Sequence, residues 1–404
     1  VAYPYAGNIG GGGFMVYRKN DGEIGALDYR EKAPLAATRD MYLDKEGNII
    51  KGKSTVGATA VGVPGTVAGV FKAQEKFGLL SVKEILSPVI ALAKKGVIVT
   101  KKQEDRIKKF KKAFETVNSK RILFLRDWKE GDIIKYKALA ITLERISKNG
   151  RDEFYKGKTA KVLAQFIQDN GGIITEEDLA KYEAKWRTPV TFEYDGLKVI
   201  SMSPPSSGGV CLAQIMNGIE SYDLHTYGHN SLKSMQVITE AERRAYADRS
   251  YFLGDPDFVS IPTDTLLSKT YSKERMRNFS FEKPTLSKDI SHGNIEIIES
   301  DETTHYSIVD QFGNAVSVIK PVTFSESCDS FWQDVTKKLT INKSTNFFMS
   351  VYFVVVIALS FDERKSVNLQ RIIESLFQNL HLVGISLQWL NLFGLYYLFY
   401  DSFH

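Results

Sequence analysis

Thr303-Thr304-His305-Tyr306-Ser307-Ile308-Val309-Asp310, followed by Gln311-Phe312-Gly313-Asn314 and Ala315-Val316, constrains this chain more than any other stretch. His305 to Asp310 alternates as a strand does, Gly313-Asn314 supplies a turn, and Ala315 opens a second short strand. Two hydroxyls, Thr303 and Thr304, stand at the mouth of the first strand. A threonine at the start of a strand is where a self-cleaving hydrolase needs its nucleophile, with a rigid element behind it and a scissile peptide bond in front. An ordinary hairpin with polar residues on its open face satisfies the same letters. Taken alone, the stretch favours that simpler reading.

The bulk of the chain is globular. Its 404 residues suit one large domain or two, and 43% hydrophobic with 25% charged residues is enough for a sizeable core. A net charge of +5 on this length does not point to nucleic acid. The most basic run, Lys101 to Phe114, carries Ile107, Phe110 and Phe114 at helical spacing, so it reads as an amphipathic surface helix. Two cysteines, Cys211 and Cys328, support no disulfide framework, metal cluster or thiol nucleophile, and neither a metal nor a cofactor is expected. Cys211 reads as a small core residue.

Strands are expected at Phe14–Arg18 and Ile24–Tyr29, joined at Asn20-Asp21-Gly22, and a strand-like stretch at Thr188–Met202. Helices are expected at Val67–Lys76, Ser81–Leu92, Leu139–Lys148, Thr159–Gln168, Glu176–Lys181, Val210–Ile219 and Leu232–Phe252. Tyr271–Asp301 is polar and irregular and reads as an exposed linker to the Thr303 strand. The pattern alone supports a mixed α/β domain. Gly10–Gly13 lacks the Lys-Ser/Thr of a phosphate loop and precedes a strand, so it reads as tight backbone packing. Ser206-Ser207-Gly208-Gly209 reads as a helix N-terminus, and no Gly-x-Ser-x-Gly elbow is present there.

Six motifs, in order, bear a family resemblance: Ala6 to Met15, Leu27 to Pro34, Val63 to Gly69, Pro204 to Gly209, Glu240 to Ser250, and Thr303 to Ser307. From Val1 to about Val318 the chain resembles the γ-glutamyltranspeptidases (glutathione hydrolases). The resemblance implies the N-terminal-nucleophile hydrolase fold, an αββα sandwich of stacked antiparallel sheets between helices. It implies a large-chain region at 1–302, the start of a small chain at 303–318, and a periplasmic or extracellular location. Val1, not Met, already lies inside the pattern, which implies an N-terminus further upstream.

The resemblance also implies the chemistry. The precursor would break at Glu302–Thr303, the Thr303 hydroxyl attacking the Glu302 carbonyl and freeing an α-amino group of pKa about 7.7–8.0 that suits a general base. Thr303 would then attack the γ-glutamyl amide of glutathione or a similar donor and pass the glutamyl group to water, an amino acid or a dipeptide. Arg30 matches the family arginine that holds the donor's α-carboxylate, for which a guanidinium fork is suited. The competing reading of Arg30 is an ion pair with Glu31 or Asp28. His305 shares Thr303's strand face and is not expected to be the base.

After Val318 the resemblance stops. The family's second threonine, asparagine, acidic residues, serine pair and oxyanion glycines are not recognisable between Ile319 and His404, so the chain as written is expected to be truncated and inactive. Phe347–Phe361 and His381–Tyr400 are long apolar runs in a segment rich in Asn, Lys, Ile, Phe and Tyr, as a shifted reading frame of AT-rich DNA would give. A membrane anchor or a divergent packed domain are the other readings of 319–404. Rival functions are a non-catalytic binder of γ-glutamyl or amino-acid ligands through Arg30, and a scaffold tethered to a membrane by the tail.

Overall fold

The computed structural model describes residues 1–2, 4, 7–118, 122–291, 303–321 and 356–357, with backbone alone at 303–305, 319–321 and 356–357. Glu302 and the apolar runs of the tail lie outside these described residues.

A five-stranded antiparallel sheet carries the N-terminal motifs. Its strands are β1 (Phe14–Arg18), β2 (Ile24–Asp28) and, after the short pair β3 (Val97–Ile98) and β4 (Ile133–Ile134), β5 (Lys185–Arg187). The hairpin β6 (Val190–Tyr194) and β7 (Leu197–Ser201) belongs to a second sheet, whereas β8 (Thr303–Val309) and β9 (Ala315–Pro321) return to the first. The order in the large sheet is β5-β2-β1-β9-β8. A two-residue strand of the tail, β10 (Val356–Ile357), pairs with β7, so the second sheet runs β10-β7-β6. The expected single strand over 188–202 is thus a hairpin. Asp195 and Gly196 take φ of 49° and 72°, the left-handed pair that a tight two-residue turn requires.

Alternation in β1 explains the layers. Met15 and Tyr17 face a core with Leu27, Val318, Val67, Tyr155 and Ala164, whereas Phe14 and Val16 pack with Ala26 against Ile200 and Met202 of the second sheet. The helices of the first core are α1 (Thr66–Phe77) and, beyond a side lobe of α2 (Val82–Lys95), α3 (Lys101–Val117) and α4 (Lys137–Asn149), the helices α5 (Arg151–Tyr155), α6 (Lys158–Asp169) and α7 (Glu176–Ala180). On the far side, α8 (Gly208–Ile219) packs Val210, Leu212 and Ala213 on Val190, Phe192 and Val199. Behind it lie α9 (Leu224–Tyr227), α10 (Leu232–Phe252), α11 (Thr263–Leu266) and α12 (Lys269–Arg275). The layers run helix, sheet, sheet, helix.

Local signals account for most element ends. Ser81 and Glu84 close a capping box at α2, and Gly96 ends it. In α3, Ile107 is buried while the lysines point outward. The expected linker from Tyr271 begins instead as packed structure: α12 covers 269–275, Ser272 and Met276 are buried, and Ile290 is buried further along. Its polar letters are spent on hydrogen bonds, with Tyr271 donating to Asp248 at 2.9 Å and Asn278 accepting from Arg244 at 2.6 Å.

Candidate active site

The strand register brings the two expected site segments to one end of the large sheet. Thr303 faces Pro321, His305 faces Ile319, Ile319 faces Phe14, and Phe14 faces Asp28. The first residue of β8 and the chain leaving β2 toward Arg30 therefore share a sheet end. They are three strand steps apart, roughly 14 Å at about 4.8 Å per step. Among the described residues β8 is an edge strand.

Glycines let the backbone close around the Arg30 segment. Gly13 and Tyr29 exchange backbone hydrogen bonds at 3.1 and 2.9 Å, and the Gly11 carbonyl accepts from the N–H groups of Gly65 and Thr66 at 2.8 and 2.9 Å. A Cβ on Gly12 would sit 2.6 Å from the Glu31 nitrogen, and one on Gly65 would sit 2.0 Å from the Tyr29 carbonyl oxygen. The run Gly10–Gly13 is thus a close-packing device at the site. The Tyr182 hydroxyl donates to the Arg30 carbonyl at 2.8 Å, and its ring stacks on buried Tyr155, which donates to the Pro64 carbonyl at 2.9 Å.

The ion-pair alternative for Arg30 meets a different partner. Asp28 is buried and paired with Arg187 at 2.8 Å, and Arg187 also reaches Asp257 at 3.2 Å. Those contacts hold the Asp257 carboxyl down at about 2, through Arg187 first and Lys185 next. Glu31 lines the cleft, but its Oε1 is buried without a hydrogen-bond partner; burial raises its pKa, and the nearby charge of Arg30 opposes that rise. Arg30 itself is exposed, its guanidinium 5.9 Å from the centre of the Phe14 ring, and among the described residues it enters no ion pair.

Arg30 opens into a cleft of about 320 Å³. Glu31 and Lys32 line it beside Arg30, together with Ser207 at the start of α8, Arg249 in the last turn of α10 and Asp255 just beyond that helix. Arg249 Nε donates to Ser207 Oγ at 2.9 Å, which ties two of the six motifs together at the cleft. Gly209 lets α8 start against β7, since a Cβ there would lie 2.3 Å from the Met202 carbonyl oxygen. Sequence reasoning missed Arg187 and Tyr182, which lie in none of the motifs. Among the described residues no group of three His, Cys, Asp or Glu side chains is gathered as a metal would need.

Known proteins agree with this architecture. The family model for gamma-glutamyltranspeptidase matches residues 1–325, seven residues beyond the Val318 limit expected from the motifs. The glutathione hydrolase proenzyme of Escherichia coli K12 is 46% identical over 326 residues, which covers 79% of this chain and 56% of that protein. The glutathione hydrolase proenzyme of Bacillus subtilis is 36% identical over 336 residues, covering 78% of this chain and 57% of that protein. The chain thus spans little more than half the length of these relatives. The crystal structure of Helicobacter pylori gamma-glutamyltranspeptidase superposes with a TM-score of 0.70 at 43% identity, covering 75% of this chain and 88% of that one. The fold is that of the N-terminal-nucleophile hydrolases. With the motifs, the layered sheets and the family model in register over residues 1–325, the chain belongs to the γ-glutamyltranspeptidase family.

Proposed function

We propose that this chain is a γ-glutamyltransferase and glutathione hydrolase precursor whose nucleophile is Thr303 and whose donor-binding residue is Arg30. The observation that carries the reading is the commitment of Asp28 to Arg187, which leaves the Arg30 guanidinium facing the cleft at the sheet end where β8 begins. A planar guanidinium fork fits the α-carboxylate of a γ-glutamyl group bidentately. The proenzyme names of the relatives support a single precursor giving two chains, with 1–302 as the large chain, the small one opening at 303, and a tail beyond the family match that ends at residue 325.

The steps follow from the residues. The Thr303 hydroxyl attacks the Glu302 carbonyl, the peptide bond becomes an ester, and water releases the Glu302 carboxylate and a free Thr303 amino group. That amine takes the hydroxyl proton as Thr303 attacks the γ-glutamyl amide, and the proton passes to the leaving amine. Water, or the amine of an amino acid or dipeptide, then cleaves the γ-glutamyl ester and regenerates Thr303. Glutathione is the donor that the relatives' names favour, and a periplasmic or extracellular setting suits such a substrate. Among the described residues no helix is long and apolar enough to cross a membrane.

Self-cleavage tests the nucleophile. Grafting the C-terminal segment of the Escherichia coli relative in place of 319–404 should give a protein that splits between Glu302 and Thr303, with Thr303 as the new N-terminal residue of the smaller fragment. The Thr303→Ala graft should stay whole. A folded graft that stays whole with Thr303 intact removes Thr303 from the mechanism.

A further inference from the structure

Lys32 lines the same cleft as Arg30, two positions further along the chain. Its backbone is fixed by a two-way bridge to Val63, at 3.2 and 2.7 Å, which holds its place on the cleft wall. Its ammonium stands 5.7 Å from the centre of the Tyr182 ring, the same tyrosine whose hydroxyl donates to the Arg30 carbonyl at 2.8 Å. Tyr182 is itself buried and stacked on Tyr155 with ring centres 5.6 Å apart, so one packed ring pair holds the Arg30 backbone and stands beside the Lys32 ammonium.

The charges around Lys32 leave it available. Among the described residues it enters no ion pair. Glu31, the acid between the two cations, lines the cleft with its Oε1 buried; burial raises its pKa, and the charge of Arg30 works against that rise. Asp255 also lines the cleft, and its carboxylate accepts from the Asp257 backbone N–H at 2.9 Å. Two residues of chain separate Arg30 and Lys32 by at most about 7 Å. With their Cα atoms that close and both side chains long, the two cations can reach separate carboxylates of one ligand in the cleft.

We infer that Lys32 is the second carboxylate-reading group of the cleft: with Arg30 on the α-carboxylate of a γ-glutamyl ligand, Lys32 takes the terminal carboxylate of its peptide portion. The inference rests on the donor role proposed for Arg30. It makes the preferred ligands γ-glutamyl peptides that end in a free carboxylate. Lys32 is then a specificity residue that acts by charge, while Tyr182 positions it.

Calorimetric titration of the full chain with γ-glutamylglycine and with its amide, γ-glutamylglycinamide, tests this. A charge-assisted contact at a partly exposed site should favour the acid by about five- to tenfold, a preference that shrinks as salt is raised. Lys32→Met keeps an apolar stem against Tyr182 and should bring the acid down to the affinity of the amide; Lys32→Gln serves if the methionine variant does not fold. Lys32→Arg should keep the preference. Equal binding of acid and amide by the unmodified chain, or a preference that survives in Lys32→Met or Lys32→Gln, overturns the role of Lys32 while leaving Arg30 in place. Failure of both ligands to bind removes the Arg30 reading and this one together.

Discussion

Asp28 and Arg187 are 159 positions apart in the chain, yet their carboxylate and guanidinium lie 2.8 Å apart beneath the cleft. The pair decides which arginine is left facing the cleft. Asp28 sits two residues before Arg30 and would otherwise be its nearest partner, and the Asp28 side chain also accepts from the Arg30 backbone N–H at 3.1 Å. Arg187 neutralises that buried acid from β5, and Arg30 is left to face outward.

Arg30→Lys should weaken binding of L-glutamate, a soluble stand-in for the γ-glutamyl group. Losing one of two charge-assisted hydrogen bonds costs about 1.5–3 kcal/mol, which is about 10- to 150-fold in affinity. Calorimetric titration of the full chain reads this directly. Thermal unfolding should be unchanged, because the side chain is exposed. An unaltered glutamate affinity would return Arg30 to a structural role.

Arg187→Met should destabilise the fold, since it strands the buried Asp28 carboxylate. Breaking a buried pair from one side costs about 3–5 kcal/mol. Adding Asp28→Asn to the same chain should recover most of that loss, which urea unfolding of the single and double variants would register. Glutamate affinity should fall in Arg187→Met as well, because the stranded Asp28 then competes for Arg30. A single variant as stable as the parent chain would show that the pair contributes nothing to the fold.

Stability should depend on pH through Glu242 of α10. The residue is 6% exposed, and burial pushes its carboxyl pKa from the ordinary 4.5 up to about 7. The folded chain then holds this proton more tightly than the unfolded chain between those values, so stability is lost as pH rises through the window. Below 4.5 the group is protonated in both states and contributes no difference; above about 7 the full cost is present, on the order of 3 kcal/mol. Glu242→Gln should remove this dependence. Urea midpoints at pH 5 and pH 8 that shift equally in the parent and the variant would exclude Glu242 as the cause.

Much of the fold was legible because its signals are local. Alternation at Phe14–Arg18, the turn residues Asn20-Asp21-Gly22, and the cap at Ser81 each act within a few residues of chain. The helix Leu232–Phe252 was legible over its whole length. The motifs carried the family, and through it Thr303 and Arg30 as the residues to examine.

Tertiary structure decided what depends on neighbours remote in sequence. The run 188–202 became two strands because Asp195-Gly196 accepts the left-handed turn, and its letters read as continuous β until the second sheet is seen. The polar segment after Tyr271 packs because Asp248 and Arg244, on a helix before it, satisfy its hydrogen bonds. Arg187 and Tyr182 carry no motif, and only folding brings one to Asp28 and the other beneath both Arg30 and Lys32. Sequence therefore determined the elements and the family, because propensity and periodicity are short-ranged. The partner of each charge was settled by packing, because an ion pair is fixed by distance in space and leaves no trace in spacing along the chain.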